Sequence, residues 1–237
     1  GEMGSGIRAP RHPVQPLRLL THRDAHGDEA REGGVEHLVE FRAVQTGGAT
    51  LHIALAGPED GEPVVLLHGF PDFWLSWARQ IPALVEAGYR LIIPDQRGYN
   101  LSEKPPEVDA YQMECLGQDV LDLLQALGFG SRKAHLVGHD WGGAVAWWLG
   151  QNFQSRWKSL TVLNCPPEEV LLWALKRKPR QMVRSWYIGL FQIPWLPEKL
   201  AAAGEYRWLE GALRRAAAPA AFTGGELRVY RKAWSRE

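Results

Sequence analysis

Residues 138–143 read Gly-His-Asp-Trp-Gly-Gly and place a carboxylate, Asp140, between glycines. The mainly apolar run 133–137 precedes them, and the stretch 144–148 (Ala-Val-Ala-Trp-Trp) follows. A strand, a glycine-bracketed residue and a helix start are the layout of a nucleophile elbow, in which the central residue lies on a sharp, strained turn. The flanking glycines leave room for other backbone to pass close by. The sequence therefore predicts that Asp140 is presented as a nucleophile.

An aspartate nucleophile defines the chemistry that this turn can perform. Aspartate is ordinarily ionised at neutral pH and needs no partner base to attack. A carboxylate oxygen can displace a leaving group from saturated carbon and form an ester with the enzyme. Hydrolysis of that ester needs activated water and donors for the oxyanion. The backbone N–H groups of Phe70 and Trp141 are the predicted donors, because an elbow supplies one N–H after the nucleophile and one from an earlier loop.

Three turns follow apolar runs that have the character of buried strands. His68–Pro71 follows the run 64–67, Asp95 lies just after the run 91–93, and Asp140 follows the elbow strand. Strands that alternate with helices predict a mostly parallel sheet covered on both faces. In open sheets of this kind the ligand site forms at the carboxyl ends of the strands. We therefore expect these turns to meet at one edge of the sheet.

The chain divides by pattern into three parts. Residues 1–34 show no periodicity and are predicted to be a flexible leader. Residues 35–165 are predicted to form an α/β core, and residues 166–237 a helical cap that is rich in aromatic side chains. Within the core, hydrophobic patterns and turn residues predict strands at 38–44, 51–55, 64–67, 91–93, 133–137 and 160–163, with helices after the third, fourth and fifth of them.

Composition limits the class of protein. The 237 residues are 45% hydrophobic and include 27 basic and 27 acidic side chains, so net charge gives no general attraction to nucleic acid or to an anionic membrane. Cys115 and Cys165 show no metal-binding spacing, and the sequence shows neither a membrane span nor a secretion signal. We therefore expect a soluble, cytoplasmic chain without metal or organic cofactor, in which the basic run 176–180 is a solvated face.

Three motifs together resemble a known family. They are His-Gly-Phe-Pro at 68–71, Asp-x-Arg-Gly-Tyr-x-x-Ser at 95–102 and the elbow at 138–143. In this order, and at predicted strand ends, they are similar to the α/β-hydrolase fold in its branch of soluble epoxide hydrolases and haloalkane dehalogenases. The resemblance extends from about residue 35 to the end. It implies a mostly parallel sheet flanked by helices with a helical cap, and it also assigns the oxyanion donors to Phe70 and Trp141.

The sequence of the predicted cap indicates which kind of leaving group the resemblance implies. An epoxide oxygen needs a proton as its ring opens, and a phenol can provide one at neutral pH. Residues 186–194 resemble the epoxide-hydrolase segment that supplies a ring-opening tyrosine, which makes Tyr187 the predicted acid. Epoxide hydrolases usually present two such tyrosines, but the segment around Tyr230 is more similar to the helix before the second one, so Tyr230 is not assigned. The expected pocket lining comes from three cap aromatics, Trp186, Phe191 and Trp195.

Haloalkane dehalogenation is the enzymatic alternative. That reaction needs two N–H donors around the halide, and Phe70 occupies a position where many dehalogenases have asparagine, which removes one donor. Trp141 and a cap tryptophan could still form a pair. Haloacid-type relatives have arginine after the nucleophile, and Trp141 argues against that reaction. An inactive or binding-only relative is the alternative from a different class.

The resemblance also predicts groups that this sequence does not show. A histidine held by an acid should activate water after a further strand, but His139 is the last of the eight histidines and is expected to point away from the nucleophile. Where some relatives place the acid, this chain has Asn164, and the neighbouring glutamates offer no specific match. We therefore expect that the chain ends inside the cap, with the acid, base and second tyrosine beyond residue 237.

The sequence thus predicts an epoxide hydrolase that converts apolar epoxides to diols through an aspartyl ester. Asp140 is the predicted nucleophile and Tyr187 the acid that opens the ring. Without the missing groups, this chain would be alkylated at Asp140 but would not hydrolyse the ester. The expected partners are a small apolar epoxide and water, without nucleic acid or membrane, and assembly as a homodimer is left open.

Overall fold

The computed structural model describes residues 35–185, 190–191, 193, 196–202, 204–218 and 221–236. The predicted leader and three predicted site residues (Trp186, Tyr187 and Trp195) lie outside the described residues. Six strands form one sheet in the described part. They are Val39–Gln45 (β1), Thr50–Ala56 (β2), Glu62–Leu67 (β3), Tyr89–Pro94 (β4), Ala134–His139 (β5) and Trp157–Leu163 (β6).

Helices connect and cover these strands. The α-helices of the described residues are Ile81–Glu86 (α1), Met113–Ala126 (α2), Trp141–Asn152 (α3), Glu168–Arg177 (α4), Pro179–Arg184 (α5), Leu196–Ala202 (α6), Arg207–Ala216 (α7) and Gly224–Trp234 (α8). Short 3-10 helices lie at Val35–Leu38, Trp74–Trp77, Val108–Tyr111 and Gln154–Arg156. None of the described helices has both the length and the apolar character needed to cross a membrane.

The order of the strands brings the predicted site residues to one edge. The sheet runs β1-β2-β4-β3-β5-β6; β2 is antiparallel to β1 and β4, whereas β3 to β6 are parallel to one another. This confirms the predicted mostly parallel sheet. Because β3 lies between β4 and β5, the loops that leave the carboxyl ends of β3, β4 and β5 are neighbours.

The core lies on both faces of the sheet, because successive strand residues point to opposite sides. Val65 and Leu67 of β3 belong to a buried cluster with side chains of α2 and α3. Val64 and Leu66 belong to a second cluster, which includes Ile81 of α1 and side chains of α7 and α8. The last two helices of the predicted cap therefore share a hydrophobic cluster with the sheet, and the division into core and cap at residue 166 remains a prediction.

Candidate active site

Asp140 occupies a strained turn between strand and helix. β5 ends at His139, α3 begins at Trp141, and Asp140 between them has φ 50° and ψ −116°, a conformation that is uncommon for a residue with a side chain. Its N–H donates to the carbonyl oxygen of Leu163 (3.1 Å), and its own carbonyl oxygen accepts the N–H of Gly143 (2.9 Å). The turn predicted from the sequence is present, and bonds on both sides hold it.

Glycines allow the loop after β3 to pass against this turn. A Cβ on Gly69 would lie 2.5 Å from the Cβ of Asp140. A Cβ on Gly142 would lie 2.4 Å from the carbonyl oxygen of His68 and 2.6 Å from that of Leu67. Both contacts are too close for a side chain, and the second is with backbone atoms that have little freedom to move. The two glycines therefore set the distance between the β3 loop and the turn at Asp140.

Gly142→Ala is expected to lower the free energy of unfolding by about 1–3 kcal/mol, because the added methyl group forces the β3 loop away from the elbow. Gly211→Ala in α7 is the matched control, since a Cβ there would meet only the end of the Arg215 side chain, at 3.4 Å. The control should be neutral or slightly stabilising, as expected for alanine in a helix. Urea denaturation measures both, and equal stability of parent and Gly142→Ala would show that the close approach is not needed.

The loop after β3 supplies a hydrogen bond to the Asp140 carboxylate. The backbone N–H of Phe70 donates to Oδ2 of Asp140 at 3.0 Å, so the predicted nucleophile and one predicted oxyanion donor are in contact. Trp141 is the first residue of α3, where backbone N–H groups have no partner within the helix. The ring of Phe191 packs edge-on against Phe70, with centroids 5.3 Å apart. The catalytic and pocket roles of these residues remain predictions.

His68, directly after β3, is a buried structural histidine. Its Nε2 accepts the backbone N–H of Gln96 at 3.0 Å, and its Nδ1 lies 2.9 Å from the carbonyl oxygen of Gly69. An imidazole that accepts at one nitrogen and donates at the other is neutral. Burial also lowers the pKa of His68. These contacts give His68 a structural role, in which it joins the loops that follow β3 and β4.

Asp95, just after β4, connects three segments of the site edge. Its carboxylate is fully buried and accepts the backbone N–H of Trp74 at 2.9 Å and the side-chain amide of Asn100 at 2.8 Å. The same carboxylate lies 2.7 Å from Nδ1 of His52 on β2. Buried carboxylates require such partners, so Asp95 shapes the strand end by fixing the loops around it.

Arg97 forms a buried ion pair with Asp119 of α2. Its Nε and Nη2 atoms donate to the two carboxylate oxygens at 2.9 and 2.7 Å, and the hydroxyl of Thr46 donates to the same carboxylate at 2.6 Å. The hydrogen bonds to Asp119 raise the pKa of Arg97. The partner of Arg97 could not be identified from the local sequence, because Asp119 lies 22 positions further along the chain.

Tyr230 and Asp72 form a hydrogen-bonded pair that was not predicted from the sequence. The hydroxyl of Tyr230 on α8 donates to Oδ1 of Asp72 at 2.9 Å, and Asp72 lies two residues after the Phe70 amide that contacts Asp140. Burial raises the pKa of Asp72, while the hydrogen bond from Tyr230 lowers it. The position of Asp72 next to the His-Gly-Phe-Pro motif was the signal in the sequence that could have indicated a role.

The fold and the elbow define an α/β protein with an acidic residue, Asp140, at the turn between β5 and α3. Residues 62–204 match the family described as alpha/beta hydrolase fold. The AB hydrolase superfamily protein YfhM of Bacillus subtilis is 43% identical over 198 residues, which are 84% of this chain and 68% of that protein. The chain belongs to the α/β hydrolase fold family.

Proteins named epoxide hydrolases are among its relatives, which confirms the branch that the motifs indicated. Human epoxide hydrolase 4 is 36% identical over 168 residues, covering 70% of this chain and 45% of that protein. The crystal structure of a Bacillus megaterium epoxide hydrolase in complex with an inhibitor superposes with a TM-score of 0.75 at 26% identity, covering 81% of this chain and 66% of that chain. This chain thus spans about half the length of the human relative.

Proposed function

We propose that this chain carries out the covalent step of epoxide hydrolysis, in which Asp140 opens an apolar epoxide and forms an alkyl ester. The observation that carries the proposal is the contact between the Phe70 amide and Oδ2 of Asp140. It leaves Oδ1 as the attacking oxygen and keeps Oδ2 against a donor, where the carbonyl oxygen of the ester would lie. The similarity to proteins named epoxide hydrolases supports an epoxide as the substrate.

In this step one bond forms, one bond breaks and one proton is transferred. Oδ1 of Asp140 forms a bond to one ring carbon, and the bond between that carbon and the epoxide oxygen breaks. The electron pair of the broken bond stays on the epoxide oxygen, which takes a proton and becomes an alcohol. We assign that proton to Tyr187 on the similarity of residues 186–194, and Tyr187 lies outside the described residues.

An apolar substrate fits the aromatic side chain of the residue whose amide contacts Asp140. The Phe70 side chain is 41% exposed and packs against Phe191 from the predicted cap segment. Aromatic faces of this kind favour aryl or alkyl groups over charged ones. We propose that Phe191, with Trp186 and Trp195, lines the substrate pocket. The cytoplasmic location and the homodimer stay predictions from the sequence.

Hydrolysis of the ester needs a water molecule that attacks the carbonyl carbon, and the oxyanion then forms at Oδ2. The N–H groups of Phe70 and Trp141 are the proposed donors to it. Deprotonation of water is commonly the work of a histidine, and no histidine follows His139 among these 237 residues. We propose that the ester therefore accumulates on this chain.

Styrene oxide is a suitable probe, because it is apolar and carries an aryl group. On incubation with this chain, intact-protein mass spectrometry should show a gain of one epoxide mass, and chromatography should show less than one equivalent of diol. Repeated turnover to diol would contradict the accumulation of the ester. Bromide release from a bromoalkane without reaction of the epoxide would favour the dehalogenase alternative, and reaction with neither compound would favour a binding-only protein.

A further inference from the structure

Helix α8 is bonded to the loop that supplies the Phe70 amide. The hydroxyl of Tyr230 donates to the Asp72 carboxylate at 2.9 Å, and the indole N–H of Trp234 donates to the carbonyl oxygen of Pro71 at 2.6 Å. Pro71 and Asp72 directly follow Phe70 in the sequence. Two side chains, one turn apart on α8, thus hold the two residues next to the donor for Asp140.

Both side chains of α8 are fixed by packing. Tyr230 is 2% exposed, and its ring meets those of Phe73, Phe222 and Trp234 edge-on or nearly so, at centroid distances of 5.0, 5.5 and 5.7 Å. A ring enclosed on several sides has little freedom to change rotamer. The Tyr230 hydroxyl therefore stays directed at Asp72.

The start of α8 is fixed as well. Thr223 and Glu226 form a reciprocal capping box, in which each side chain accepts a backbone N–H of the other residue. Arg79, which follows the β3 loop in the chain, donates to the carbonyl oxygen of Ala221 and lies 3.6 Å from the Glu226 carboxylate. The helix is thus attached to the same part of the fold at its beginning and along its buried face.

Charge explains why the Tyr230 hydroxyl acts as a donor to Asp72. Burial and the neighbouring carboxylate both raise the pKa of Tyr230, so its proton stays on the oxygen. The hydrogen bond in turn lowers the pKa of Asp72 against the effect of burial. A tyrosine whose proton is held in this way is poorly suited as the acid that protonates an epoxide oxygen. Tyr230 therefore has a different role.

We propose that Tyr230 and Trp234 are positioning residues that hold the Phe70 amide against Asp140 through their bonds to Asp72 and Pro71. The inference rests on the proposed function, because the Phe70 amide acts on substrate only through Asp140. Its mechanical part, that α8 immobilises the loop of residues 68–73, is independent of any chemistry.

Tyr230→Phe removes the hydroxyl and keeps the ring, and Trp234→Phe removes the indole donor. Two matched controls carry the same substitutions away from the loop. The first is Tyr89→Phe on β4, where the ring contacts His135. The second is Trp157→Phe on β6, where the indole N–H of Trp157 donates to the carbonyl oxygen of Leu149. Alkylation by styrene oxide is followed over a range of concentrations, so that the limiting rate and the half-saturating concentration are obtained separately. Hydrogen–deuterium exchange of the peptide that spans residues 68–73 is measured in the same variants.

The limiting alkylation rate of Tyr230→Phe should fall about tenfold, since small displacements of positioning groups have effects of this size or larger. Its half-saturating concentration should change by less than about twofold, because substrate binding is not affected. Exchange in residues 68–73 should rise about fivefold, as expected when one hydrogen bond of a local structure is lost. Trp234→Phe should act in the same direction, and neither control should change the rate or the local exchange.

An unchanged limiting rate and unchanged loop exchange in Tyr230→Phe would overturn the inference. So would exchange that rises equally throughout the protein, because that result means a general loss of stability. Failure of the parent chain to form any adduct would instead contradict the proposed function. In that case increased exchange confined to residues 68–73 would still support immobilisation of the loop by α8.

Discussion

Asp140→Asn should lower the rate of epoxide adduct formation by a factor on the order of 10³ or more, as expected for loss of a nucleophile. The amide has nearly the same shape as the carboxylate, and its oxygen can still accept the N–H of Phe70. It carries no negative charge, however, so it cannot displace the ring oxygen as a carboxylate does. The measurement is the rate of mass gain of the intact protein with styrene oxide.

Asp60→Asn is the matched control for this exchange. Asp60 is exposed in the turn before β3, and its side chain takes no part in the proposed reaction. The control should form adduct at the parent rate, and both variants should unfold at nearly the parent temperature. Adduct formation by Asp140→Asn at the parent rate would rule out the carboxylate as the attacking group.

Arg97→Met should lower the free energy of unfolding by about 3–5 kcal/mol, which is the usual effect of removing one member of a buried ion pair. The two side chains are only 4% and 5% exposed, so the Asp119 carboxylate would remain buried without its main partner. Thr46 alone, with one hydroxyl, cannot replace the two donors of the guanidinium. Chemical denaturation followed by tryptophan fluorescence measures the change.

Arg42→Met removes a comparable pair at the surface and serves as the control. Arg42 and Glu40 are 27% and 53% exposed, and pairs in such positions contribute less than about 1 kcal/mol. If the two variants lost similar amounts of stability, burial of the Arg97 pair would not be what makes it important. A small effect of Arg97→Met alone would lead to the same conclusion.

Local patterns predicted most of the fold. Each of the six predicted strands overlaps a strand of the structure, with ends that differ by at most three residues; the elbow strand, predicted at 133–137, spans Ala134–His139. Gly88 and Gly128 end the first two helical segments with φ of 84° and 83°, which glycine adopts readily. These signals are short in sequence, so each can be recognised without knowledge of the tertiary structure.

The site could be predicted only where its contacts follow from a motif. The elbow fixes Asp140 relative to its own strand and helix, and the strand order then brings Phe70 to it. The hydrogen bond between Tyr230 and Asp72 joins residues 158 positions apart. No sequence pattern near either residue indicates the other as its partner. The capping box at Thr223 marks where α8 begins. The residues against which α8 packs, however, depend on how the last helices fold back on the sheet.

Peptide mapping of the styrene oxide adduct by tandem mass spectrometry identifies the residue that attacks the epoxide. A variant with Cys115→Ser and Cys165→Ser excludes alkylation of the two free thiols. We expect one epoxide to be added, and the fragment ions should assign it to the side chain of Asp140 as an ester. An adduct on any other residue, with Asp140 unmodified, would show that Asp140 is not the nucleophile.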